Sequence, residues 1–199
     1  MAALDHMTDC GLRGIHRIPY GLHACHFYRS REQLIQALVP YFMAGLNNNE
    51  RCLWIAAPPL PAEEAAQALA RTWPATRDAI ASGALRIVDF DAWYTTTVGL
   101  KGNQVVDLWA EEERRALADG CSGLRITGNT SFLNVGQWTT FMEYERSVTE
   151  GFRGRRIIAL CSYSLENCSP KQAAEVREAH DCAFERPDSN WQVISSPLA

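Results

Sequence analysis

The sequence has 199 residues, 47% of them hydrophobic, and a formal net charge of −4, enough chain for one domain with a sizeable core. The negative balance excludes the basic footprint of a nucleic-acid-binding surface, and no apolar run approaches the ~20 residues of a membrane span. Residues 1–14 lack the charged-then-apolar order of a secretory signal, and the seven cysteines, none at C-x-x-C spacing, read as reduced thiols of a cytoplasmic protein.

Residues 1–18 read as a flexible lead-in, and 19–199 as one domain. The His- and aromatic-rich segment Leu22 to Tyr28 predicts a strand, with Ser30 placed to cap a following helix. That helix runs to about Ala44 with Leu34, Ile35, Leu38, Val39, Tyr41 and Phe42 on its apolar face, Pro40 inside it as a place for a kink or a short break, and an end at Gly45 and Asn47-Asn48-Asn49. Arg51 to Ala57 is a strand-length apolar run stopped by Pro58-Pro59. Pro61 to Thr72 predicts an alanine-rich helix with Glu63 and Glu64 at its positive end. Leu85–Phe90 reads as strand, Gln104–Asp119 as helix, Gly123–Gly128 as strand and Val135–Thr149 as helix. The run Ile-Ile-Ala-Leu-Cys within Arg156–Tyr163 has the pattern of a strand buried on both faces. Ser169-Pro170 opens a last helix, and Trp191–Ile194 reads as a final strand. Strands alternating with helices predict an α/β fold, a mostly parallel sheet with helices on both faces.

The string His23-Ala24-Cys25-His26-Phe27-Tyr28, followed by Gly45-Leu46, Glu50-Arg51-Cys52-Leu53-Trp54-Ile55, Trp93-Tyr94, Gly123 to Gly128, Tyr144-Glu145, Leu160 to Tyr163, His180 and Trp191, resembles the MEDS (methanogen/methylotroph, DcmR-type sensory) domain over roughly residues 20–194. The resemblance implies a module that senses hydrocarbon derivatives or related small molecules in signalling or transcriptional regulation. The 199 residues leave no room for an output domain beside the sensor, so either the output partner is another protein chain or this is an excised or stand-alone sensor, with a homodimer also open. The domain is also distantly similar to the RecA/KaiC ATPase fold, which implies a three-layer sandwich. At the phosphate-loop position the sequence reads Tyr28-Arg29-Ser30-Arg31-Glu32, without glycine or lysine, so the backbone cradle and charge that ATP needs are missing.

His23, Cys25 and His26 are the densest set of coordinating side chains. On a strand His23 and Cys25 share a face and His26 points the other way. Ligands of open α/β sheets bind beyond the carboxyl ends of the strands, here Tyr28, Gly128-Asn129 and Tyr163, which are expected to line one crevice. A small-molecule site is therefore expected with His23, Cys25 and Tyr28 as polar contacts, Cys161 nearby, and Trp54, Trp93, Tyr94 and Tyr163 shaping its walls. Arg125, in an apolar strand, needs an anion: a salt bridge to Glu143 or Glu145 outweighs contact with a ligand. One alternative is a metal or haem sensor using His23, Cys25 and His26, with Cys161 or His180 completing the set. The other is a thiol enzyme built on Cys25 or Cys161. The sequence carries no triad signature and no G-x-S-x-G, H-E-x-x-H or dinucleotide glycine motif, so the reading is a sensor rather than an enzyme.

Overall fold

A computed structural model describes residues 6–95, 102–129 and 138–195. A small antiparallel hairpin, β1 (Met7–Asp9) with β2 (Arg17–Pro19), precedes the main alternation. Then come β3 (His23–Tyr28), α1 (Arg31–Asn47), β4 (Arg51–Ala56), α2 (Ala62–Thr72), α3 (Thr76–Ser82), β5 (Leu85–Asp89) and α4 (Phe90–Thr95). The chain continues through α5 (Gly102–Ala118), β6 (Leu124–Asn129), α6 (Trp138–Phe152), β7 (Ile157–Ser164), α7 (Pro170–Ala179), β8 (Cys182–Glu185) and β9 (Gln192–Ser195). The seven-stranded sheet has the order β5-β4-β6-β7-β3-β8-β9, parallel throughout except for β9, which returns antiparallel to β8. This is the three-layer α/β architecture expected from the sequence.

Each central strand is buried on both sides, and its two faces meet different helices. On one side Ala24 and Tyr28 of β3, Trp54 of β4, and Ile158 and Leu160 of β7 pack with Leu34, Leu38, Tyr41 and Phe42 of α1 and Leu69 of α2. On the other, Leu53, Ile126 and Ala159 pack with Trp109 of α5 and with Val148 and Phe152 of α6. Cys25, Cys161 and Tyr163 meet Met142 of α6 and Val176 of α7 on that same side. The period of two along a strand thus sorts the coordinating side chains into separate layers.

Three sequence expectations change. The described part of the lead-in, residues 6–18, does not hang free: Cys10, Leu12, Ile15 and Ile18 are buried in the core on the α1 side. The guanidinium of Arg125 also donates to the carbonyls of Asp9 (2.7 Å) and Cys10 (3.3 Å), pinning residues 6–18 to the sheet. Helix α1 runs on through Pro40 to Asn47, so Gly45 lies inside the helix rather than at its end. Its reason is close approach, since a Cβ there would sit 2.6 Å from Arg125 Cδ and 2.9 Å from Cys52 Sγ. An interior helical glycine normally gains about 1 kcal/mol on change to alanine. Here we expect Gly45→Ala to lose about 1–3 kcal/mol through overpacking, read as a lower urea midpoint. Finally, β8 follows α7 after only His180 and Asp181, with no glycine or proline to announce it.

The turn from β3 into α1 consists of Arg29 and Ser30 alone. Ser30 caps the helix by accepting from Gln33 N–H, and Gln33 Oε1 accepts from Arg29 N–H. Arg31 is held by Glu64 at 2.6 Å. The helix terminus that a nucleotide-binding fold would offer to phosphate is capped by the chain's own side chains, in keeping with the missing glycines.

Candidate functional site

Four side chains from four elements converge on the α6–α7 side of the sheet. They are His23 at the start of β3, Glu145 on α6, Cys161 on β7, and His180 just beyond α7. All four are buried, and one donor atom from each lies within 4.8 Å of all the others. His23 Nε2 is 3.3 Å from Cys161 Sγ and 3.2 Å from Glu145 Oε2, and His180 Nε2 is 3.5 Å from the same carboxylate oxygen. Parallel pairing of β3 with β7 sets His23 opposite Ala159 and Cys25 opposite Cys161. Glu145 joins them because it lies on the buried stripe of α6 with Met142, Val148 and Phe152, spaced three and four residues apart.

The hydrogen bonds fix both imidazole tautomers. His180 Nδ1 lies 2.7 Å from the Val176 carbonyl, which only accepts, so that nitrogen carries the proton. The Thr149 hydroxyl donates to the Ala179 carbonyl at 2.6 Å and therefore accepts from His23 Nδ1 at 2.7 Å. Each neutral ring consequently presents Nε2 as an acceptor, that of His23 toward the Cys161 thiol at 3.3 Å and that of His180 toward the Tyr163 hydroxyl at 3.5 Å. Burial keeps both rings neutral: the pKa of His23 falls to about 4 and that of His180 to about 3, where the neighbouring His23 adds to the effect. Burial raises the Glu145 carboxyl against the opposing effects of His180 and a hydrogen bond from Tyr163. Although Glu145 Oε2 is close to two imidazole nitrogens, it makes no hydrogen bond.

Beside the cluster is a cavity of about 30 Å³ at the carboxyl end of β6. His23, Glu145 and Cys161 form its polar wall; Trp109, Tyr144 and Val148 close it from the helices. Gly128 keeps it open, because a Cβ at that position would meet nothing nearer than Cys161 Sγ at 4.0 Å. The Trp109 indole donates to the Tyr144 hydroxyl at 3.2 Å and stacks on Trp93 with ring centres 5.0 Å apart.

The sheet separates the residues expected to share a site. His23, Cys161 and Tyr163 are together, with the Tyr163 hydroxyl 3.5 Å from His180 Nε2. Cys25 is on the same face but packs among Met142, Val176 and Ala183, outside the donor cluster. His26, on the opposite face, bonds Ser162 Oγ at 2.6 Å, so neither Cys25 nor His26 belongs to the metal-ligating set expected for them. Tyr28 also faces the α1 side and donates to Asn129 Oδ1. Trp54 is a core residue stacked on Phe42 at 4.8 Å, not a pocket wall. Arg125 pairs with Glu50, not with Glu143 or Glu145, and touches no ligand cavity near the cluster. Trp93 reaches the cavity only through Trp109, and the side chain of Tyr94 lies outside the described residues. A cavity of about 30 Å³ is also far smaller than a haem macrocycle. The residues that sequence reasoning missed as site members are Glu145, Thr149 and Trp109, whereas Gly128 lies at the strand end expected to line the crevice. The buried stripe of α6 was the available signal for the first two.

His26 gives a pH prediction separate from the cluster. Burial lowers its pKa from 6.5 to about 3. Between those values the unfolded chain binds the extra proton, so this contribution to stability is complete above about pH 6.5 and is lost as pH falls. We expect up to ~1.4 kcal/mol of lost stability per pH unit from this residue. His26→Gln should remove that share of the slope in urea unfolding measured from pH 7 to 4.

Residues 22–181 match the sequence model of the MEDS family, the methanogen/methylotroph, DcmR sensory domain, and all four cluster residues fall within that span. No curated protein matches the sequence. Among solved structures, the chain is similar to the flagellar accessory protein FlaH from Methanocaldococcus jannaschii. The TM-score is 0.54 and the identity 11%, over 91% of this chain and 81% of that one. At that identity the likeness concerns the fold alone, and it agrees with the distant RecA/KaiC resemblance.

Proposed function

The chain belongs to the MEDS family of sensory domains, and on that premise we propose that it senses a molecule of very few heavy atoms at the cavity beside His23, Glu145 and Cys161. The observation that carries this reading is a mainly apolar cavity of about 30 Å³ at a strand's carboxyl end, bordered by a buried carboxylate oxygen that has no hydrogen bond. One water needs about 10–15 Å³ of such space, so the cavity takes about two or three heavy atoms. That is the size of a one- or two-carbon alcohol, amine or halide, in line with the hydrocarbon-derivative class. Such a ligand would hydrogen-bond Glu145 or His23 while resting its carbon against Trp109 and Val148. Occupancy would then be relayed through α6 to a regulatory protein partner, without direct nucleic-acid contact by this chain.

The domain is proposed as a sensor and not a thiol enzyme. Cys161 and His23 lie at the distance of a thiol–imidazole pair, but a nucleophile needs a thiolate. Burial instead pushes the thiols of both Cys161 and Cys25 up and the imidazole of His23 down, which holds the pair neutral.

Small ligands gain at most about 1.5 kcal/mol per heavy atom, so three atoms bind no tighter than about 0.5 mM. Ligand-observed NMR with one- to three-carbon alcohols, amines and halides, added to chelator-treated protein, tests the reading. One saturable site for at least one of these compounds is expected. Failure of every compound to saturate well above that ceiling would sink it.

A further inference from the structure

We propose that His23, Glu145, Cys161 and His180 form a binding site for one divalent transition-metal ion, with zinc the best match. The inference goes beyond small-molecule sensing and stands whether or not the neighbouring cavity takes an organic ligand.

The donor set is two imidazoles, one thiol and one carboxyl, a mixture suited to zinc and unlike the all-oxygen sets that calcium and magnesium select. In tetrahedral zinc sites, ligands about 2.0–2.3 Å from the metal lie about 3.3–3.8 Å from one another. The separations of 3.2, 3.3 and 3.5 Å among His23, Cys161, Glu145 and His180 already fall at or near that range. The longest donor separation, within 4.8 Å, needs to close by roughly 1 Å to reach it.

The surroundings also fit. Ligating histidines generally donate their second ring N–H to an oxygen, which holds the tautomer and the ring direction. Here the Thr149 hydroxyl holds His23 and the Val176 carbonyl holds His180, each through Nδ1. Both Nε2 atoms therefore carry lone pairs, and they lie 3.2 and 3.5 Å from Glu145 Oε2, the buried atom without a hydrogen bond. A proton on the carboxyl can serve only one of these nitrogens. A dication serves both nitrogens, the carboxylate and the sulfur together, and its charge offsets those of a carboxylate and a thiolate away from water.

Cobalt(II) titration of the full chain after chelator treatment tests the site, with zinc competition for affinity. The expected result is one cobalt per chain with tetrahedral visible bands and a near-ultraviolet thiolate-to-cobalt band, all displaced by zinc. Cys161→Ser should abolish the thiolate band and Cys25→Ser should keep it. Thr149→Val should weaken zinc binding by about 10–100-fold while preserving the thiolate band and the stoichiometry. That variant keeps the proposal testable if Cys161→Ser fails to fold. Absence of stoichiometric cobalt in folded chain overturns the site, as does a thiolate band that Cys25→Ser removes and Cys161→Ser retains. The NMR titration of metal-free protein is an independent readout, so failure of the metal site and failure of small-molecule sensing are told apart.

Discussion

Glu50→Ala is expected to destabilise the fold by about 3–5 kcal/mol, because it leaves a buried guanidinium without its counter-charge. Both side chains of the Arg125–Glu50 pair are fully buried. All five Arg125 N–H groups are engaged: two with the Glu50 carboxylate, two with the Tyr41 and Cys10 carbonyls, and one with Asp9. Glu50 also accepts from Thr8 at 2.6 Å and Tyr20 at 2.9 Å. One ion pair thus joins α1, β6 and the N-terminal hairpin, and its loss should expose residues 6–18 to protease as well as lower the guanidinium midpoint. The double variant Glu50→Leu/Arg125→Met removes both charges and should recover most of the loss, since a well-packed apolar pair can match a buried ion pair. A double variant no better than Glu50→Ala would show that the backbone contacts of Arg125, and not the charge pair, carry the stability.

Gly128→Val is expected to abolish ligand binding at the cavity, a loss of at least 100-fold or about 2.8 kcal/mol, while changing stability by under ~1 kcal/mol. The glycine has an ordinary strand conformation, and an added Cβ meets only Cys161 Sγ at van der Waals distance. Valine suits a strand better than glycine does, so the backbone has no reason to object. Its two methyl groups occupy the space that the glycine leaves open. The four donor residues keep their hydrogen bonds, so the substitution separates a filled cavity from a damaged cluster. Ligand-observed NMR and thermal unfolding on the same samples read the two effects.

Much of the fold is legible from the sequence because each central strand carries a continuous apolar run and each helix a buried stripe. Ile157 to Tyr163 could scarcely be anything but an interior strand. The period of two also separates His23 from His26 correctly. What the sequence does not give is which strands become neighbours. β6 and β7 insert between β3 and β4, so Trp54 of β4 is removed from β3 and faces α1, far from any role beside His23. Arg125 is legible as a buried charge in need of an anion, but Glu50 is 75 residues away and reaches it only through the β4–β6 register. Glu143 and Glu145 are the acids that the sequence reading offers Arg125, and neither pairs with it; Glu145 is the one turned into the core. Its place on the Met142–Phe152 stripe of α6 is the physical clue that it faces inward, where it meets imidazoles instead.

The most direct test of a sensing site at this cluster is a long-range proton–nitrogen NMR spectrum of chain labelled at its histidines. His23 and His180 should both show the Nδ1–H tautomer, and saturation with a one- or two-carbon ligand identified in the panel should shift their Nε2 signals while leaving His26 unchanged. Saturation that moves His26, His16 or His6 and leaves His23 and His180 still would contradict the account.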